Sequence, residues 1–100
     1  MSEKFTVSLF NRVNDYINEL PFPEQAKVKS ALFVLENGDF DLVKIKTLRD
    51  DIKELKVKRH RFVFFIKGQT IYFISAFMKK TSKTPKREIE NALKIFKSIT

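Results

Sequence analysis

"HRFVFFIKGQTIYFISAFM", residues 60–78, is the stretch on which the fold turns. "HRFVFFI" (60–66) and "TIYFISAFM" (70–78) are dense in β-branched and aromatic side chains, and "KGQ" joins them with Gly68 at the turn. That pattern predicts a β-hairpin. Both runs are apolar on both faces, which places them centrally in a sheet. One residue interrupts them. Arg61 puts a charge inside a very apolar strand, where it needs a partner or an anion.

Upstream, "IKELKVK" (52–58) alternates and reads as a half-exposed strand, while residues 39–51 read as irregular or weakly extended, anchored by Val43, Ile45 and Leu48. Near the start, "KFTVSLF" (4–10) alternates, with Phe5, Val7 and Leu9 on one side, and predicts a short strand. Val13, Tyr16, Ile17 and Leu20 then recur at helical spacing until "PFP" (21–23) stops the helix. Pro23 and Glu24 suit the first turn of a second helix with the stripe Val28, Ala31, Leu32 and Leu35, which Gly38 ends. Downstream, Thr84 and Pro85 read as the N-cap and first turn of a last helix, with Ile89, Ala92, Leu93 and Phe96 as its stripe. Strand, helix, helix, three strands, helix predicts an α+β fold, with helices on an antiparallel sheet.

A chain of 100 residues, 43% hydrophobic with 11 Phe, suits one domain, 1–100, with an aromatic core. The formal charge is +8, from 20 basic and 12 acidic residues, which favours polyanions: nucleic acid, an anionic membrane or an acidic protein. Cysteine is absent, so disulfides and thiolate metal sites are excluded. No run approaches the roughly 18 apolar residues of a membrane span, and "MSEKFTVSLF" lacks an apolar signal core; the expectation is a soluble cytoplasmic protein.

The basic residues are clustered. Residues 44–61 carry Lys44, Lys46, Arg49, Lys53, Lys56, Lys58, Arg59 and Arg61; residues 79–87 add Lys79, Lys80, Lys83, Lys86 and Arg87. In an antiparallel hairpin the start of 60–66 lies beside the end of 70–78, so both segments meet at one end of the sheet, near the N–H groups that open the last helix. Taken singly, these lysines read as solubilising gatekeepers beside "FVFFI". Taken as a set around Arg61, they read as an anion site. His60, the only histidine, is either a neutral base or a surface residue at a strand start, and Glu54 balances charge or orients Lys56 or Arg61. Tyr72 and the phenylalanines read as core. Glycine-rich phosphate loops, nucleophile elbows and histidine-rich metal sites have no residues to build them here. Any chemistry then rests on basic groups and His60, which narrows it towards phosphate.

Lys46 and Leu48, "ELK" (54–56), "HRFVFF" (60–65) and "FMKKTSKTP" (77–85) resemble the RelE/HigB superfamily of toxins, above all its phage-derived, HigB-like branch. The last motif is the specific one. The resemblance covers about half of the chain well and implies the small RelE-like fold, with two N-terminal helices and a C-terminal helix. It implies a ribosome-dependent mRNA endoribonuclease (mRNA interferase) of a type II toxin–antitoxin pair, working without metal or other cofactor by 2′-hydroxyl attack on the scissile phosphate. The implied partners are the ribosome and mRNA, a helix-turn-helix, HigA-like antitoxin, and operator DNA only through that antitoxin, with no membrane. Carried over by motif, Arg61 holds the phosphate, Lys79 and Lys80 supply transition-state charge, Lys56 binds backbone or assists proton transfer, and the base is His60 or a lysine. Lys46, Arg49, Lys53, Lys58, Arg59, Lys83 and Lys86 are then RNA-binding. The chain departs from the family pattern at His60, where an aromatic is usual, and twice where lysine replaces arginine. The alternative is a non-catalytic toxin of the same fold acting on another target such as DNA gyrase, or an RNA- or antitoxin-binding module.

Overall fold

The computed structural model describes residues 4–80 and 83–99. Along the chain come β1 (Thr6–Leu9), α1 (Asn11–Asn18), α2 (Phe22–Glu36), a 3-10 turn (Phe40–Leu42), β2 (Lys44–Arg49), β3 (Ile52–Val57), β4 (His60–Lys67), β5 (Thr70–Met78) and α3 (Lys86–Ser98). The strands form one sheet in the order β1-β5-β4-β3-β2. The expected hairpin is β4–β5, and β4 is the central strand.

The α+β class is as expected, and two details differ. The sheet is mixed, because β1 runs parallel to β5, from Thr6 opposite Thr70 to Leu9 opposite Phe73. Parallel neighbours need a long crossover, and here α1, α2 and the β2–β3–β4 meander supply it. Residues 44–49, read as irregular or weakly extended, form the edge strand β2, antiparallel to β3. The reason is shared with β3, which does not alternate as a half-exposed strand should. Ile45 and Leu55 lie opposite one another and pack with the core under α1 and α2, whereas Leu48 and Ile52 pack with the core under α3. Each strand splits its apolar side chains between two faces, so no single face shows the alternation.

The helices cover the sheet on both sides. On one face, Val13 and Ile17 of α1 and Val28, Leu32 and Leu35 of α2 bury Leu55, Phe62, Phe64, Ile71 and Phe73. On the other, Ala92 of α3 lies in a smaller cluster with Ile52, Val63, Phe65 and Ile74. Alternation along β4 therefore sends Phe62 and Phe64 one way and Val63 and Phe65 the other. A bulge changes the phase of β5: Phe64 faces Phe73 but Val63 faces Ser75, leaving Ile74 as the extra residue. Phe73 accordingly sits under α1 and α2, while Ile74 and Phe77 sit on the α3 side.

The antiparallel strands are joined by two-residue turns whose first residue has positive φ: Asp50 (51°), Lys58 (56°) and Gly68 (61°). Glycine adopts that backbone freely; Lys58 does so at a steric cost. The last helix begins one residue later than the sequence suggests. Pro85 is its N-cap, and Thr84 turns its hydroxyl elsewhere. At the opposite end of α3, Lys67 Nζ donates to the carbonyls of Phe96, at 2.6 Å, and Ile99, and lies 4.2 Å from the centre of the Phe96 ring. A cation on those last carbonyls suits the helix dipole and ties α3 across β4. No helix among the described residues is long and apolar enough to cross a membrane.

Candidate functional site

Register places the site. Lys56 stands opposite Arg61, which stands opposite Phe77; two residues along, Lys46 stands opposite Glu54. Cross-strand partners share a face, so these five side chains floor the α3 side of the sheet at the end that α3 enters. The walls are Lys79 and Lys80, which continue β5, and Lys83, Thr84, Pro85, Arg87 and Glu88, which lead into α3. Tyr16, Ala76 and Met78 complete a cleft of about 590 Å³. The backbone N–H of Lys79 donates to the Arg59 carbonyl at 2.8 Å, so the ladder carries the first of the two lysines to the rim. Thr81 and Ser82, inside the motif "FMKKTSKTP", lie outside the described residues.

Arg61 is 8% exposed. One guanidinium nitrogen, Nη1, donates to the carbonyls of Lys58 at 2.8 Å and His60 at 3.0 Å. Carbonyl oxygens orient a guanidinium without cancelling its charge, which leaves the group suited to an anion. Glu54, 3% exposed, accepts a hydrogen bond from the Thr84 hydroxyl, which fastens the approach to α3 onto β3. Glu88, in the first turn of α3, is 3.4 Å from Nη2 of Arg12 on α1. It also complements the helix dipole. The cleft thus gathers Lys46, Lys56, Arg61, Lys79, Lys80, Lys83 and Arg87 against only two carboxylates, Glu54 and Glu88.

Of the residues singled out in the sequence, Arg61, Lys56, Lys79, Lys80, Lys46 and Lys83 come together here. Arg49, Lys53, Lys58, Arg59 and Lys86 do not line the cleft. Lys53 Nζ donates to Thr47 Oγ1 at 3.4 Å. Lys58 sits against Lys27 of α2. Its hydrogen bond, then its charge, pulls the Lys27 ammonium below the ordinary lysine value.

The reading of His60 as a surface residue is corrected. It is neither at the surface nor in the cleft. At 1% exposure it lies on the α1/α2 face, with Nδ1 2.7 Å from the Tyr16 hydroxyl and Nε2 2.7 Å from Oε1 of Glu24. Tyr16 packs edge-on against both His60 and Phe62. Burial, and secondarily the Glu24 carboxylate, raise the Tyr16 phenol above its ordinary value of 10.0. Sequence reasoning took Tyr16 for part of an apolar stripe, counted Arg87 in the basic set without giving it a role, and left Glu88 out of the site. For these two the available signal was their place in a helix's first turn beside the basic segment.

A family model described as phage-derived protein Gp49-like matches residues 15–97. The chain is 42% identical over 79 residues to proteins named "Probable endoribonuclease HigB1" from two strains of Mycobacterium tuberculosis. That match takes in 71% of this chain and spans 62% of the relatives' own length. Among solved structures, the toxin–antitoxin complex RelBE2 of M. tuberculosis superposes with a TM-score of 0.63 at 17% identity, covering 77% of this chain and all of that one. A mutant of the E. coli toxin RelE in the free state superposes with a TM-score of 0.65 at 17% identity, covering 93% of this chain and 98% of that one. The two structures bear out the fold.

Proposed function

The chain belongs to the phage-derived Gp49-like family, of the HigB/RelE type, and from that premise we propose that it is the toxin of a type II toxin–antitoxin pair, an endoribonuclease that cuts translated mRNA. The observation that carries this reading is the convergence of seven basic side chains on a cleft floored by a nearly buried arginine. Such a cleft suits the backbone of single-stranded RNA. The similarity to proteins named as endoribonucleases supports the same chemistry.

In this reading the 2′-hydroxyl attacks the adjacent phosphorus. Arg61, oriented by the carbonyls of Lys58 and His60, grips the scissile phosphate. Lys79 and Lys80 stand on the rim to offset charge that grows on the equatorial oxygens. Lys56, directly opposite Arg61, holds the flanking backbone. Lys46, Lys83 and Arg87 extend the track. Fixed cations of this kind supply positioning and electrostatic stabilisation without a metal. The working site is the ribosome in the cytoplasm, where the message is threaded and single-stranded. A HigA-like, helix-turn-helix antitoxin is the neutralising partner and the link to operator DNA.

The test is induction in a bacterial host, with Arg61→Ala beside it, and mapping of mRNA 5′ ends. New ends inside translated codons are expected, absent on untranslated message, with the rate in the mutant lower by about 10²–10³. Growth arrest without new ends points instead to another target such as gyrase. Full cleavage by a folded Arg61→Ala chain refutes the site.

A further inference from the structure

In the ribonuclease reading the attacking hydroxyl must lose a proton, and of the bases that the family resemblance implies, His60 or a lysine, His60 does not line the cleft. Tyr16, which is hydrogen-bonded to His60, lines the cleft. Three residues from three elements, Tyr16 of α1, Glu24 of α2 and His60 of β4, form a single file with 2.7 Å at each junction. The order of donors follows from their chemistry. A carboxylate only accepts, so Nε2 donates to Glu24; with the imidazole neutral, its one N–H is used there and Nδ1 accepts from the Tyr16 hydroxyl. In that tautomer the Tyr16 proton points towards His60. We propose that Tyr16 is the group that takes the proton from the attacking 2′-hydroxyl, with His60 behind it to accept the phenol proton and Glu24 as a positioning residue. The proposal rests on the ribonuclease reading.

The step balances. The O–H bond of the attacking hydroxyl breaks and its proton passes to the Tyr16 oxygen, while the proton already on Tyr16 passes to Nδ1 of His60. The freed electron pair forms the bond to phosphorus. The bond to the departing 5′-oxygen breaks, and that oxygen takes a proton from the ammonium of Lys79 or Lys80. The imidazolium, paired with Glu24, later returns its proton through Tyr16 to water, and the lysine is reprotonated from water. Tyr16 receives one proton as it gives another, so no free phenolate forms. That suits a phenol held protonated by burial and by Glu24. His60, at 1% exposure, has both ring nitrogens committed to this file. The hydrogen-bond order, hydroxyl to imidazole to carboxylate, is that of the Ser-His-Asp triad, but the hydroxyl here relays a proton and does not attack.

The experiment uses the full chain on translating ribosomes. Tyr16→Phe keeps the ring against Phe62 and His60 and removes only the hydroxyl. Expected is a fall in kcat of about 10²–10³, within the range for losing a general base, with KM unchanged and the urea midpoint near that of the parent. Glu24→Gln, whose side chain is 34% exposed, is expected to lower kcat less, again with KM unchanged. A folded Tyr16→Phe chain with parental kcat overturns the relay and leaves the nuclease standing. If Tyr16→Phe does not fold, Glu24→Gln decides, and parental kcat there overturns the relay. A parental chain that cuts no translated message overturns the nuclease reading and the relay with it.

Discussion

His60 and Arg61 are neighbours on β4, nearly equally buried, and they face opposite sides of the sheet. On the His60 side, α1 and α2 have closed over the strand, and every polar atom of the ring has a partner from a helix. On the Arg61 side, α3 arrives by its first turn, and the guanidinium meets carbonyls and a row of like charges. One step along a strand separates a ring partnered by helices from a cleft crowded with like charges. Burial alone therefore says little about function; what distinguishes the two residues is whether the charges around them are balanced.

That contrast breaks first, and hardest, in the core. Phe64→Ala empties a fully buried site under α1 and α2, against Phe73, and should cost about 3–5 kcal/mol by urea unfolding. Ile52→Val, in the smaller cluster under α3, should cost about 0.5–1.5 kcal/mol. A loss at Phe64→Ala no larger than that at Ile52→Val would mean that Phe64 is not packed in the core as described.

A smaller effect separates the cleft from the basic residues outside it. If Lys80 contacts one phosphate, Lys80→Ala should flatten the salt dependence of single-stranded RNA binding by about 0.7 in the log–log slope. Arg49→Ala, off the cleft, should leave the slope alone. Slopes that fall equally in both variants would dissolve the cleft into a diffuse basic surface.

The smallest effect is alkaline. Folding raises the Tyr16 phenol, so the native state favours its protonated form. The stability this gives is complete below the ordinary value of 10.0 and is lost as pH climbs through the folded value. Between neutral and strongly alkaline pH, the urea midpoint of the parent chain should therefore fall more steeply than that of Tyr16→Phe. Parallel curves would show that the phenol does not feel its burial.

Much of this was legible in the sequence. The β4–β5 hairpin shows because both strands are β-prone on both faces, and the helix limits show because proline and glycine punctuate them. The cleft was half legible: once the hairpin is paired, Arg61 must lie beside the end of β5, and Lys79 and Lys80 follow. The rest depends on contacts distant along the chain. Nothing near β1 says that it will run parallel to β5. His60 could not be placed, because its partners Tyr16 and Glu24 lie 44 and 36 residues away. Residues 44–49 hid as a strand because Ile45 and Leu48 serve different cores.

The bulge at Ile74 divides β5 into two passages written in opposite phase. Up to Phe73 the odd-numbered residues Ile71 and Phe73 face the aromatic core; after the bulge the odd-numbered Phe77 faces the α3 side and lines the cleft. A lineage, or a designer, can therefore revise the cations that follow Met78 without disturbing Phe73, and can repack the core without turning Phe77 away from Arg61. Deleting the one extra residue would join the passages and exchange their audiences, presenting the basic rim to α1 and α2. The site's freedom to change is held in a single residue that touches none of its chemistry.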